Sequence, residues 1–292
     1  MPNSPRADAP THRFRTKLIA TLGTIALLVV GAVISPLGGK IADLIWPAAE
    51  AELPGAVVAG EPCRSGGPAA SISLSYAFRP SMWWATPAKL PTEVIDELNR
   101  ADNSEATDAT LAPFTPVQSM GKAGTSLKVA VTGCGPRPVV ITNLRPVVSK
   151  RDKPFGGSLV FVRSQGETEV VEIGFDLDAR DPAALAYDTT TAKLGGAYFD
   201  SKVVNVAPQE TVPLRLMGIT KTSYVEWVLA FDTLVDGKAW KFLVALPGGA
   251  PIRSTALLPS YQSLYSLDFS AQPRPLFKPV SPASLLPELR VP

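Results

Sequence analysis

Histidine is almost missing from this chain. One residue, His12, serves all 292 positions, and cysteine is limited to Cys63 and Cys134. Ser-His-Asp and Cys-His catalysis are therefore excluded from any domain that does not contain His12. Multi-histidine zinc sites are excluded with them. Two cysteines cannot build a Cys₄ zinc centre or an iron–sulfur cluster. Glycine-rich phosphate loops of the GxGxxG and P-loop kinds are absent, and neither SxxK nor GxSxG occurs in a supporting context. Charge of one sign is missing too: 28 basic residues stand against 26 acidic ones, a net +2. Residues 1–17 hold Arg6, Arg13, Arg15 and Lys17 against Asp8, so the remainder is slightly acidic and carries no nucleic-acid footprint. No cofactor and no nucleic-acid partner is expected. Disorder throughout is excluded by a hydrophobic share of 46% with 18% charged residues.

What is present begins with one long apolar run. Residues 18–39 read LIATLGTIALLVVGAVISPLGG, without a charge. As a helix they would reach about 33 Å, enough for the ~30 Å hydrocarbon core of a bilayer. Lys40 closes the run, and Trp46 follows where an interfacial aromatic belongs. The basic residues before the run, with Asp43, Glu50, Glu52 and Glu61 after it, place the N-terminus in the cytoplasm and the rest outside. A cleaved signal peptide is the competing reading, but its apolar core is usually about 7–15 residues. The expectation is a single-pass protein of the cell membrane, its partner there the lipid bilayer through 18–39.

Beyond the run, residues 40–69 read as a juxtamembrane linker rich in Ala, Gly, Pro and Glu. Short strand signals follow at 71–78, 126–132, 138–148, 158–163, 167–177, 198–206, 212–217, 225–235 and 239–246, with weaker ones at 252–257 and 264–269. Turn residues separate them, which predicts a mainly β fold: an antiparallel β-sandwich ectodomain over 70–271, preceded by one transmembrane helix. Residues 80–116 differ, reading as a loop and helix insert. Its helix is expected over 92–100 with Thr92 as N-cap, followed by a loop over 101–108. The last segment, 272–292, holds six prolines and reads as an extended tail.

One hairpin can be derived to the residue. Asp236-Gly237 suits a type I′ turn, which needs positive φ at both positions. A two-residue loop there makes opposed residue numbers sum to 473. Trp227 then faces Leu246, Leu229 faces Val244, Phe231 faces Phe242 and Thr233 faces Trp240, all on a core face. Asp232 faces Lys241 on the other. This register makes Trp227 and Trp240 core anchors, with Glu226 and Asp232 solvated.

Candidate site residues are few. Cys63 and Cys134 lie outside the membrane in this topology, where a disulfide is favoured over two free thiols. Asp176, Asp178 and Asp181 form a loose calcium-loop pattern, the only metal candidates, lacking the glycine and distal glutamate of an EF-hand. Lys150, Arg151 and Lys153 form a basic cluster at an expected hairpin tip, suited to teichoic acid or anionic headgroups. Adjacent Trp83 and Trp84 must point to opposite faces of a strand. Either one is exposed as a ligand contact, or the 80–116 segment covers both.

The segments SLKVAVTG, PVVITNLRPVVSKRDKPFGGSLVFV and VVEIGFDLD, within 125–178, resemble the extracytoplasmic part of uncharacterised actinobacterial single-pass membrane proteins, as do VEWVLAF and IRST further on. A basic N-terminus, one span and an immunoglobulin-like β domain recur in that group. The resemblance implies this topology and no activity. The function expected is thus a membrane-anchored binding or scaffold module for an envelope polymer or membrane protein. The alternatives are a cell-envelope hydrolase or transferase, or a sensor component with a cytoplasmic partner.

Overall fold

The computed structural model describes residues 63, 69–77, 83–101, 104–114, 117–119, 124–162 and 173–281. The apolar run 18–39 lies outside them, as do the basic tail 1–17 and most of the linker. Among the described residues no helix is long and apolar enough to cross a membrane.

Numbered along the chain, the described strands form three sheets. The first holds β1 (Ala70–Tyr76), β4 (Thr125–Gly133), β11 (Thr211–Ile219), β7 (Ile173–Asp176), β8 (Leu185–Asp188) and β9 (Lys193–Ala197), in that order. The second holds β10 (Val204–Val206), β5 (Val139–Asp152), β12 (Tyr224–Val235) and β13 (Lys238–Val244), with β14 (Ile252–Thr255) continuing the β13 edge along the start of β12. The third holds β16 (Leu276–Pro279), β15 (Ser263–Asp268), β6 (Ser158–Phe161), β2 (Trp83–Ala85) and β3 (Val117–Ser119). Pairing is antiparallel except between β7 and β11 and between β6 and β15.

Alternation explains why the first two sheets pack together. In β4, Leu127, Val129 and Val131 are buried while Lys128 is exposed. Across the ladder Leu127 meets Leu216 and Val129 meets Leu214 of β11. The second sheet turns Ile141 and Leu144 of β5, and Trp227, Leu229 and Phe231 of β12, into the same core. Each such side chain contributes about 1.5–3 kcal/mol by leaving water. The mainly β expectation is met, with a third sheet added to the expected two-layer arrangement.

The derived hairpin has its expected register from Leu229–Val244 to Val235–Lys238, including Asp232 opposite Lys241. Asp236 has φ 52° and Gly237 φ 74°, as the turn requires. Two details need correction. Trp227 lies opposite Ile252, not Leu246, because β13 ends at Val244 and residues 247–249 turn away. Trp240 is 37% exposed and is no core anchor. It sits on an edge strand three residues from the turn, where one flanking strand cannot cover it.

The 80–116 segment is more than an insert. It supplies β2 and β3 to the third sheet and two helices, α1 (Thr92–Leu98) and α2 (Ser104–Leu111). Pro91, not Thr92, is the N-cap of α1, with extended φ −60° and ψ 153°. The expected loop 101–108 is in part α2, whose small residues gave a weak helical pattern. The proline-rich tail also enters the fold, since β16 pairs with β15.

The third sheet is covered on both faces. One face holds Trp84, Val160 and Phe277 against Leu90, Val94, Ile95, Leu98 and Leu111. The other holds Trp83, Leu159, Phe161 and Leu264 against Tyr261, Leu257 and Leu258. Gly157 lets its connection approach residues 86–90. Its N–H donates to the Thr86 carbonyl at 3.0 Å, and a Cβ there would strike the Ala88 backbone. Gly157→Ala should therefore destabilise the protein by about 1–3 kcal/mol. A denaturation midpoint equal to that of the wild type would show that the 86–90 segment yields freely.

Candidate functional site

A cleft of about 470 Å³ opens where the second sheet meets the connection to the third. Its walls are Pro87, Lys150, Asp152, Lys153, Pro154, Phe155, Tyr224, Glu226 and Arg253. Three neighbouring strands set most of these side chains. Glu226 of β12 lies opposite Lys150 of β5 and opposite Arg253 of β14. One pair further, Tyr224 lies opposite Asp152 and Thr255. Side chains alternate along a strand, so Tyr224 and Glu226 share the face opposite the buried Val225 and Trp227.

The site is fixed from below and above. The Tyr224 hydroxyl donates to Glu226 Oε1 at 2.6 Å. Burial pushes the Tyr224 hydroxyl pKa well up, and the hydrogen bond and charge of Glu226 push it further, so it stays a donor. Phe155 stacks on Tyr224 with ring centroids 4.4 Å apart and 14° between planes. The Phe155 N–H donates to Thr255 Oγ1 at 3.0 Å, which holds this shelf to β14. Lys150 Nζ stands 3.9 Å from Glu226 Oε1 and 5.6 Å from the Tyr224 ring centre. Asp152 Oδ1 accepts the Lys153 N–H at 2.7 Å. On the Pro87 side, Thr86 Oγ1 donates to the Ala88 carbonyl at 2.7 Å and accepts the Ser158 N–H at 3.0 Å. The Leu90 N–H donates to Ser158 Oγ at 2.8 Å, so this rim is also pinned.

Three cations thus face two carboxylates, one of which already accepts a phenol. The lining holds no histidine, cysteine or serine. What it offers is charge-assisted hydrogen bonding beside an aromatic surface.

The sequence candidates fall around this cleft unevenly. Lys150 and Lys153 line it, but not at a hairpin tip: β5 runs on to Asp152 and pairs with β12 to its end. Arg151 points elsewhere and donates to the carbonyls of Leu177 and Ala179, the latter at 3.0 Å. Trp83 and Trp84 are both buried, at 5% and 1% exposed, so neither presents a ring to a ligand. Trp84 Nε1 donates to Asp108 Oδ1 at 2.9 Å, and Trp83 packs on Phe161 at 5.1 Å. The 80–116 segment covers Trp84 through its helices, but Trp83 is covered by Tyr261 and the 257–258 segment, so the expected cover is met for one tryptophan and not the other.

The three aspartates do not converge. Among the described residues, no group of three or more His, Cys, Asp or Glu is placed to hold a metal ion. Asp176 Oδ1 accepts the Asp178 N–H at 3.0 Å, and Asp181 is exposed. Asp178 fixes a neighbouring loop: it accepts the Thr220 and Thr222 hydroxyls at 2.8 and 2.9 Å and the Lys221 N–H at 2.6 Å. Partial burial pushes its carboxyl up, and these hydrogen bonds outweigh that, so the group lies below its ordinary value. A lowered folded value stabilises the fold above the ordinary carboxylate range, near pH 4, and the contribution is lost as pH falls through the folded value. Asp178→Ala should cost about 1 kcal/mol at neutral pH, a discounted figure because water screens the site. The gap between variant and wild type should close in acid; a gap independent of pH would show that the loop contacts, and not the charge, carry the effect.

Cys63 and Cys134 are joined as a disulfide with Cα atoms 5.1 Å apart. Tyr224, Glu226, Phe155 and Arg253 were not singled out by sequence. The hairpin register did place Glu226 away from Trp227, and Tyr224 shares its parity. No sequence signal brings β14, and so Arg253, beside them. No protein family, curated protein or solved structure matches this chain.

Proposed function

We propose that this chain is a membrane-anchored extracytoplasmic binding module whose ligand site is the Lys150–Arg253 cleft. In this reading residues 18–39 span the bilayer, residues 1–17 stay in the cytoplasm and the β domain lies outside. The observation that carries it is the Cys63–Cys134 disulfide, which belongs to an oxidising compartment. The charge-free run and the basic residues before it give the anchor and its direction. A pinned, mixed-charge cleft without a nucleophile–base pair on its walls favours recognition over turnover.

The test is topological. Ser260 is exposed, and a cysteine placed there should react with a membrane-impermeant thiol reagent in intact cells. Reaction only after lysis would overturn the reading.

A further inference from the structure

We propose that the cleft takes an acidic saccharide unit of a polymer outside the membrane, with Lys153 and Arg253 holding its anionic group and Phe155 under its ring. The proposal rests on the binding-module reading and names the ligand class for that site.

Three observations carry it. The first is which charges are already committed. Glu226 is engaged by the Tyr224 hydroxyl and lies beside Lys150. Among the described residues no carboxylate forms an ion pair with Lys153 or Arg253. Both line the cleft with Lys150, three cations against the carboxylates of Asp152 and Glu226, so its net charge is positive, and an anion there gains charge-assisted hydrogen bonds.

The second is the shelf. Phe155 lies flat on Tyr224 and is only partly covered. A rigid apolar ring beside two cations suits a ligand with both a ring face and an anion, which an acyclic headgroup lacks. Asp152 and Glu226 on the same walls are acceptors for hydroxyl donors, which a sugar supplies in number.

The third is position. β5 runs fourteen residues, Val139–Asp152, roughly 40 Å at the usual strand rise. Cys134, which receives the linker through Cys63, precedes its first residue. Arg137 Nε lies 3.9 Å from Asp236 Oδ1, so the β12–β13 turn gathers at that same end. The cleft is at the other end, beside Lys150 and Asp152. The disulfide therefore joins the domain at the end of β5 away from the cleft, which leaves the mouth of the cleft clear of that crosslink.

The full chain in neutral detergent micelles would be titrated by calorimetry with three probes: a galacturonic acid oligosaccharide, a neutral oligosaccharide of equal length, and glycerophosphoglycerol as a free lipid headgroup. The acidic saccharide should bind, more weakly as salt rises, and the other two should bind at least about tenfold more weakly. Lys153→Glu should lower affinity for the acidic saccharide at least about tenfold, the equivalent of one charge-assisted hydrogen bond. Lys193→Glu, exposed on β9 in the first sheet, should leave it unchanged. Arg253→Gln is the second site variant, with its far-UV circular dichroism compared to the wild type. No binding of the acidic saccharide, equal loss in Lys193→Glu, full affinity in both site variants, or tightest binding of glycerophosphoglycerol would each overturn the proposal. The membrane topology is not read by this titration, so its failure and failure of the anchor reading are separable.

Discussion

Trp227→Ala should lower the unfolding free energy by about 3–5 kcal/mol, the range for removing a large aromatic from a core. Whole domains are stable by only about 5–15 kcal/mol, so the variant should be close to unfolded under mild denaturant. The size follows from where β12 puts the ring. Trp227 is 0% exposed in the centre of the core shared by the first two sheets. Phe175 meets it edge-on, with centroids 5.9 Å apart at 65°. Its Nε1 donates to Ser254 Oγ at 3.0 Å, and Ser254 is itself buried, so truncation also leaves a hydroxyl without its donor. The facing strand is shaped to the ring: a Cβ on Gly218 would come within 2.7 Å of Trp227 Cζ2. A cavity there is walled by two sheets that have little freedom to close on it. Trp240→Ala is the matched comparison, a tryptophan of the same hairpin but 37% exposed. It should cost less, because more than a third of its surface is already in water. Equal shifts in the two urea midpoints would show that the core does not lie on the Trp227 face.

The two tryptophans also mark how far sequence reasoning reaches. Pattern and turn chemistry determine what a hairpin does by itself: the 236–237 turn fixes the register, and the register fixes which residues share a face. Burial depends on what lies opposite, which is a property of strands distant in the chain. The register therefore treats Trp227 and Trp240 alike, and packing against the first sheet separates them. The same limit hid most of the cleft. Lys150 and Lys153 are legible as a basic cluster, and Glu226 as outward-facing. That β14 pairs with the first residues of β12, bringing Arg253 beside Glu226, comes from a turn at 247–249 that shortens β13. The third sheet was legible only in part, through the signals at 158–163 and 264–269 that match β6 and β15. Its other strands, 83–85, 117–119 and 276–279, are too short to show alternation, and the closing strand contains a proline. Proline is tolerated there because β16 is an edge strand. The disulfide needed no alternation, only two cysteines and a compartment.

Replacing both cysteines, Cys63→Ser with Cys134→Ser, should cost about 4 kcal/mol on the chain-entropy account of a loop this long. The bridge spans 71 positions, and without it the unfolded chain regains the freedom that closure removes. Replacing both avoids a lone thiol that would pair between molecules. The folded state should change little. The Cys134 N–H already donates to the Ala69 carbonyl at 2.8 Å, and β1 is paired along its whole length with β4, so the end of the first sheet is held without the sulfur atoms. The loss should therefore appear mainly as a lower midpoint in urea, with the folded baseline of tryptophan fluorescence retained. The cleft lies at the other end of β5, and ligand affinity in the folded double variant should match that of the wild type. Reducing agent should reproduce the shift in the wild type and leave the double variant unaffected. An unchanged midpoint would mean that strand pairing in the unfolded ensemble already restrains residues 63–134. A lost folded baseline would mean that the bridge shapes the first sheet itself, and that the linker is part of the domain rather than a tether to it.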